Sequence, residues 1–133
     1  MDFFPSNELE KWLLDAQEGR STSSDFFSVL LSSRIFIPSQ KEVSADGNGL
    51  QPLFFDRSGK AMVVVFTSTI RITEAFTKDA KYCLEIPARN FLLGLPDGLG
   101  IVINPSHQVG LEIPPDGLKR MKADLQQNKK KPN

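Results

Sequence analysis

The side chains that most often carry acid–base and thiol chemistry each occur once in this chain, as His107 and Cys83. His107 lies in the turn sequence Asn-Pro-Ser-His, where we expect it to be exposed. A Ser-His-Asp unit also needs a nucleophile, and the sequence has no Gly-x-Ser-x-Gly elbow. One histidine and one cysteine fall short of a zinc ligand set. We therefore predict no catalytic residue, no metal site and no cofactor.

Cys83 lies in an alternating strand pattern between Tyr82 and Leu84. A reactive thiol needs a cationic setting or a helix N-terminus, and the nearest cation in this pattern is Lys81, on the same strand face but two residues away. We expect a buried or half-buried, inert thiol. An enzyme that uses Cys83 remains a third functional alternative.

Polar residues follow two apolar strand patterns and form the candidate ligand site. Thr67 and Ser68 come after one strand and begin a predicted helix, whose N–H groups can hold an anion. Asn104 ends a second strand, just before Pro105. Helix capping alone explains Ser68, and an Asx-turn explains Asn104. If both strand ends open on one edge of the sheet, Thr67, Ser68, Asn104 and His107 would bind a small anionic ligand.

The stretch 50–67 must position these residues, because it reads as a central hairpin. Asp56 suits the first position of a type I turn, and Gly59 suits the left-handed position that closes it. Residues 61–66 include no polar side chain, so we expect both faces of this strand to be buried.

The remaining patterns surround the hairpin with helices and strands. Ser6 and Thr22 are predicted helix caps, and residues 68–77 read as a short helix despite several β-branched side chains. Further strands are predicted at 34–37, 81–86, 99–103 and 109–113, with helices after Pro87 and Pro114. The predicted class is α+β: a mostly antiparallel mixed sheet built on a central hairpin, with two N-terminal helices, short connecting helices and a C-terminal helix.

Charge divides the chain unevenly, although its formal net charge is zero. Residues 1–118 hold 10 Lys and Arg against 15 Asp and Glu, a balance of −5, and residues 119–133 carry +5. An acidic body argues against nucleic acid as a partner. We predict one domain over 1–126 and a basic, disordered tail over 127–133.

No run is apolar enough to span a membrane and no signal peptide is recognisable, so we predict no membrane association. A single cysteine fits a reducing cytoplasm. Strands 34–37 and 109–113 are the predicted sheet edges, and their charges favour a monomer or weak dimer.

The order of these elements resembles the SseB N-terminal domain family. The residues that carry the resemblance are the helix start at 7–10, the Phe-rich second helix, and the motifs at 52–56, 65–68, 79–82 and 98–105. The resemblance spans about residues 6–125. The family name refers to a serine-sensitivity trait, and the resemblance implies no accepted catalytic residue.

The functional prediction is a non-enzymatic, cytosolic protein-interaction module with a protein partner. The alternative is a sensing domain for an amino acid or organic anion, held near Ser68 and Asn104.

Overall fold

The computed structural model describes residues 3–130, with side chains described through Leu125. The helices are Glu8–Gln17 (α1), Ser23–Leu31 (α2), Glu74–Thr77 (α3), Ala88–Gly94 (α4) and Pro115–Lys130 (α5). The strands are Arg34–Ser39 (β1), Phe54–Arg57 (β2), Lys60–Val65 (β3), Tyr82–Pro87 (β4), Leu99–Ile103 (β5) and Leu111–Ile113 (β6). The predicted α+β class is confirmed.

The strands form two sheets where the sequence suggested one. Four strands follow the order β2-β3-β5-β6, and β1 pairs with β4 separately. Only the β3–β5 pair is parallel, so the strand pairing is mostly antiparallel as predicted. The two sheets meet where the backbones of Phe36 and Phe66 exchange hydrogen bonds of 2.9 and 2.8 Å. This junction places Phe36 of β1 beside the residue that follows β3.

Strand β3 is the centre of the fold, and both of its faces are buried as predicted. Val63 and Val65 face the larger core, which the four longer helices cover. Met62 and Val64 face a smaller core on the other side of the sheet, together with Phe66 and Phe76. Alternate side chains of a strand point to opposite faces, so one six-residue strand joins two cores.

The hairpin turn differs from the predicted type I turn. Both central residues have positive φ, +55° at Ser58 and +82° at Gly59, which is the type I′ geometry. A two-residue loop favours this type because its twist matches that of the flanking strands. Asp56 still stabilises the turn, because its Oδ1 accepts a hydrogen bond of 2.8 Å from the Gly59 N–H.

The segment after β3 forms two short helical turns instead of one helix. A 3₁₀ turn spans Thr69–Arg71, and α3 follows it. Ile72 and Thr73 between them have extended backbone angles. Both residues are β-branched, which disfavours a continuous helix at this point.

One of the two predicted sheet edges is wrong. Strand β6 is an edge of the four-stranded sheet, but the other edge is β2, because β1 pairs with β4 in the separate two-stranded sheet. An exposed ion pair between Arg57 and Glu112, at 2.9 Å, links the two edge strands across one face. The monomer or weak dimer stays a prediction.

The final helix extends beyond the predicted end of the domain. Helix α5 continues to Lys130 and so includes the first part of the predicted tail, while positions 131–133 lie outside the described residues. The predicted division into a domain over 1–126 and a tail over 127–133 stays a prediction. No helix in the described part of the chain is both long and apolar enough to cross a membrane.

The packing of β5 yields a stability prediction. A Cβ at Gly100 would lie 2.5 Å from the Ile113 carbonyl oxygen and 2.6 Å from the Met62 Sδ. We expect Gly100→Ala to lower the free energy of unfolding by about 2 kcal/mol, because a strand backbone cannot move aside. Gly94→Ala is the matched control, since nothing lies within 4 Å of its Cβ position, and its effect should stay within about 0.5 kcal/mol. Urea titration measures both, and equal stability of the two variants would contradict the prediction.

Candidate functional site

The parallel pairing of β3 with β5 brings the candidate residues Thr67 and Asn104 together. Val65 lies opposite Ile103, so both strands end at the same edge of the sheet. The Thr67 N–H donates to Asn104 Oδ1 at 3.0 Å, and Asn104 Nδ2 donates to Thr67 Oγ1 at 2.9 Å. The Asx-turn explanation of Asn104 is therefore wrong, because its side-chain oxygen is bound by a distant strand end.

A buried carboxylate, that of Glu10, occupies the space beside Thr67. Its Oε2 accepts from Thr67 Oγ1 at 2.6 Å and from Arg71 Nε at 3.0 Å. Its Oε1 accepts from Arg71 Nη2 at 2.8 Å, and from the backbone N–H and the hydroxyl of Ser6 at 2.8 and 2.9 Å. The carboxylate is 0% exposed, so five hydrogen bonds replace its water shell.

These hydrogen bonds control the ionisation of Glu10. Burial alone would raise the pKa of this carboxyl, because a charge is costly away from water. Hydrogen bonds from Arg71, Thr67 and Ser6 outweigh burial and lower the pKa to about 2. Glu10 is therefore an anion inside the protein, held in a two-bond fork by the guanidinium.

Glu10 and Arg71 were not among the residues that the sequence predicted for the site. Asn7 and not Ser6 caps α1, and Glu10 stands three residues after this cap. The spacing of Asn7 and Glu10 is a local signal for the position of the Glu10 side chain, because Glu at this position of a capping box folds back over the start of the helix. Its ion pair with Arg71 is not local, since 61 residues separate the two side chains.

Arg71 also contacts the segment that precedes α1. Its guanidinium lies 4.0 Å from the centre of the Phe3 ring and donates to the Phe4 carbonyl oxygen at 2.6 Å. Asn7 also connects the start of α1 to the end of β3, because its Nδ2 donates to the Thr67 carbonyl oxygen at 2.9 Å. We call Glu10, Thr67, Arg71 and Asn104 the carboxylate cluster.

His107 is half-buried, so its predicted exposure is wrong. Its Nε2 lies 2.6 Å from the Arg71 carbonyl oxygen, a distance at which this nitrogen donates its proton. The ring also meets Phe66 edge-on, with 6.5 Å between ring centres. Its contacts thus hold the chain that carries Arg71.

Ser68 is separate from these contacts. Its hydroxyl accepts from the Ile70 N–H at 3.3 Å and caps the 3₁₀ turn, which supports the capping explanation. The structure thus joins Thr67 to Asn104 directly and places His107 beside Arg71. That Thr67, Ser68, Asn104 and His107 bind an external ligand stays a prediction.

A comparison that covers most of the chain identifies its family. The sequence profile of the SseB protein N-terminal domain matches residues 9–120. The chain belongs to the SseB N-terminal domain family. No curated protein and no solved structure matches it significantly. In this SseB domain the matched range begins just before Glu10 and includes the whole carboxylate cluster.

The cysteine of this SseB domain lies on β4, opposite Pro38 of β1. Cys83 is exposed, so its predicted burial is wrong. Partial desolvation raises the pKa of the thiol, and the negative charge of Glu85 raises it further. A raised pKa leaves little thiolate at neutral pH, which agrees with the predicted low reactivity. Within residues 3–130, no three His, Cys, Asp or Glu side chains are grouped to hold a metal ion.

The ionisation of Glu10 predicts acid sensitivity. A carboxyl whose pKa falls from 4.5 to about 2 on folding stabilises the fold above pH 4.5, and this contribution disappears as the pH falls to 2. Its size is about 3 kcal/mol. We expect wild-type stability to fall more steeply than that of Glu10→Gln between pH 5 and pH 2. Denaturant titration at each pH gives the difference, and parallel curves would show that folding does not lower the pKa of Glu10.

Proposed function

We propose that this SseB domain is a non-enzymatic protein-interaction module that works in the cytoplasm. One observation carries the proposal: the edge strand β2 displays Phe54, half exposed, beside an open apolar cleft. Single exposed apolar residues are common, but an aromatic side chain next to a cleft is typical of a recognition surface.

The polar groups of the domain support the same proposal. The carboxylate cluster satisfies its own hydrogen bonds, and its one anion is ionised and held by Arg71. His107 is engaged by a backbone carbonyl. The raised pKa of Cys83 disfavours an attacking thiolate, which weakens the thiol-enzyme alternative.

Capture from the native host tests this function with a matched pair of variants. Phe54→Asp places a charge on the proposed surface, and Ile70→Asp does the same at an apolar side chain of similar exposure beyond the far end of β3. We expect wild type and Ile70→Asp to retain the same protein partner, and Phe54→Asp to lose it. Equal retention by all three proteins would contradict the proposal, as would the absence of any retained protein.

The alternative function is a sensor of an amino acid or organic anion. The donors that would hold such an anion include Thr67 and Arg71, and both already bind the Glu10 carboxylate. A ligand at this place would have to displace an ionised group that makes five hydrogen bonds. The occupied cluster therefore favours the interaction module.

A thermal-shift screen against amino acids and organic anions distinguishes the two functions. We expect no reproducible shift of the wild-type melting temperature, because Glu10 fills the anion position. Asn104→Ala is tested in parallel, since the sensor hypothesis places Asn104 at the ligand. A shift that wild type shows and Asn104→Ala loses would favour the sensor.

A further inference from the structure

The backbone of β2 has one side free to pair. The Val64 N–H donates to the Leu53 carbonyl oxygen at 3.0 Å, which makes these two residues a hydrogen-bonded pair in the antiparallel ladder. Pairs of this kind alternate along a ladder, so the peptide groups of Phe54 and Asp56 point away from β3. Among the described residues, no backbone hydrogen bond outside the strand ladders reaches Phe54 or Asp56.

An apolar cleft opens on the face of the sheet that carries Phe54. Its volume is about 350 Å³, enough for one large side chain. The walls come from β2, β3, β4, α4 and the start of β5, and include Phe54, Val63, Leu84, Ile86, Phe91 and Leu99. A strand placed beside β2 would direct the residue opposite Phe54 towards this cleft, because directly paired residues share a face.

The charged side chains that line the cleft or share the cleft face of β2 are acidic. Asp46 lines the cleft, and Asp56 follows Phe54 by two residues, on the same face of β2. Arg57 points to the opposite face and is paired with Glu112. The residue of an added strand that lies opposite Asp56 would therefore be favoured as Lys or Arg.

We propose that β2 binds an extended peptide as a fifth strand, with a large apolar side chain in the cleft and a basic side chain two residues away, opposite Asp56. This proposal rests on the proposed interaction function and specifies how the domain would bind its partner. A second copy of β2 would place no basic side chain opposite Asp56, since Arg57 lies on the other face of the strand. The basic segment 127–133 lacks the large apolar side chain that the cleft would take.

Random linear peptides displayed on phage and selected on the full chain test this mode. We expect enriched sequences with a large apolar residue and a Lys or Arg two positions apart. A selected peptide is then synthesised with N-methyl groups on either of its two alternate sets of residues. In an added strand only one set donates to β2, so one N-methylated peptide should bind about tenfold more weakly and the other should bind like the parent.

Two protein variants test the charge. Asp56→Asn keeps the oxygen that accepts from the Gly59 N–H and removes the negative charge, so it should weaken binding about threefold. Glu74→Gln, an exposed carboxylate on α3, should leave binding unchanged.

The outcomes separate the binding mode from the function. No enrichment, or equal binding of the two N-methylated peptides, would overturn strand addition. Light scattering that shows a dimer of wild type and a monomer of Phe54→Asp would assign β2 to a second copy instead. If strand addition fails, or β2 forms a dimer, but a host partner still depends on Phe54, the interaction function is supported and the peptide-binding mode is rejected.

Discussion

The buried ion pair between Glu10 and Arg71 joins two parts of the chain that are 61 residues apart in the sequence. It connects the start of α1 to the turn after β3, and Thr67 and Asn104 extend the connection to the ends of two parallel strands. An ionised carboxylate away from water is tolerated only when several donors surround it, so removal of one partner leaves the others unsatisfied. The same helix buries Leu9 and Leu13 in the larger core, so the ion pair and hydrophobic packing act together on α1.

The sequence was sufficient for features that depend on local patterns. The uninterrupted apolar residues of β3 predicted a strand buried on both faces, and turn and cap residues placed most helices and strands. Local patterns failed where a distant residue decides the outcome. Strand β1, a predicted edge of the main sheet, instead pairs with β4 and meets the main sheet through the bridge between Phe36 and Phe66. Ser58 took a left-handed conformation because the twist of two strands required it.

The candidate site shows the same division. The proximity of Thr67 and Asn104 follows from two strands that end together, and strand-end reasoning anticipated it. The occupant could not be anticipated, because acidic residues in a first helical turn are normally explained by the helix dipole. Glu10 lies in the first turn of α1, as that explanation requires. Its carboxylate also binds Arg71 and so occupies the position where an external anion was expected. A position suited to an anion therefore contains an anion from the chain itself.

The two ends of the four-stranded sheet differ in what they leave unsatisfied. Where β3 and β5 end, the polar side chains at Thr67 and Asn104 are buried and paired, so this end stabilises the fold. Where β3 begins, peptide groups of the neighbouring edge strand β2 and the walls of an apolar cleft face solvent. Groups that are already paired gain little from a partner, whereas free edge groups and apolar walls gain hydrogen bonds and burial. The physical case for recognition therefore lies with β2, at the opposite end of the sheet from its polar cluster.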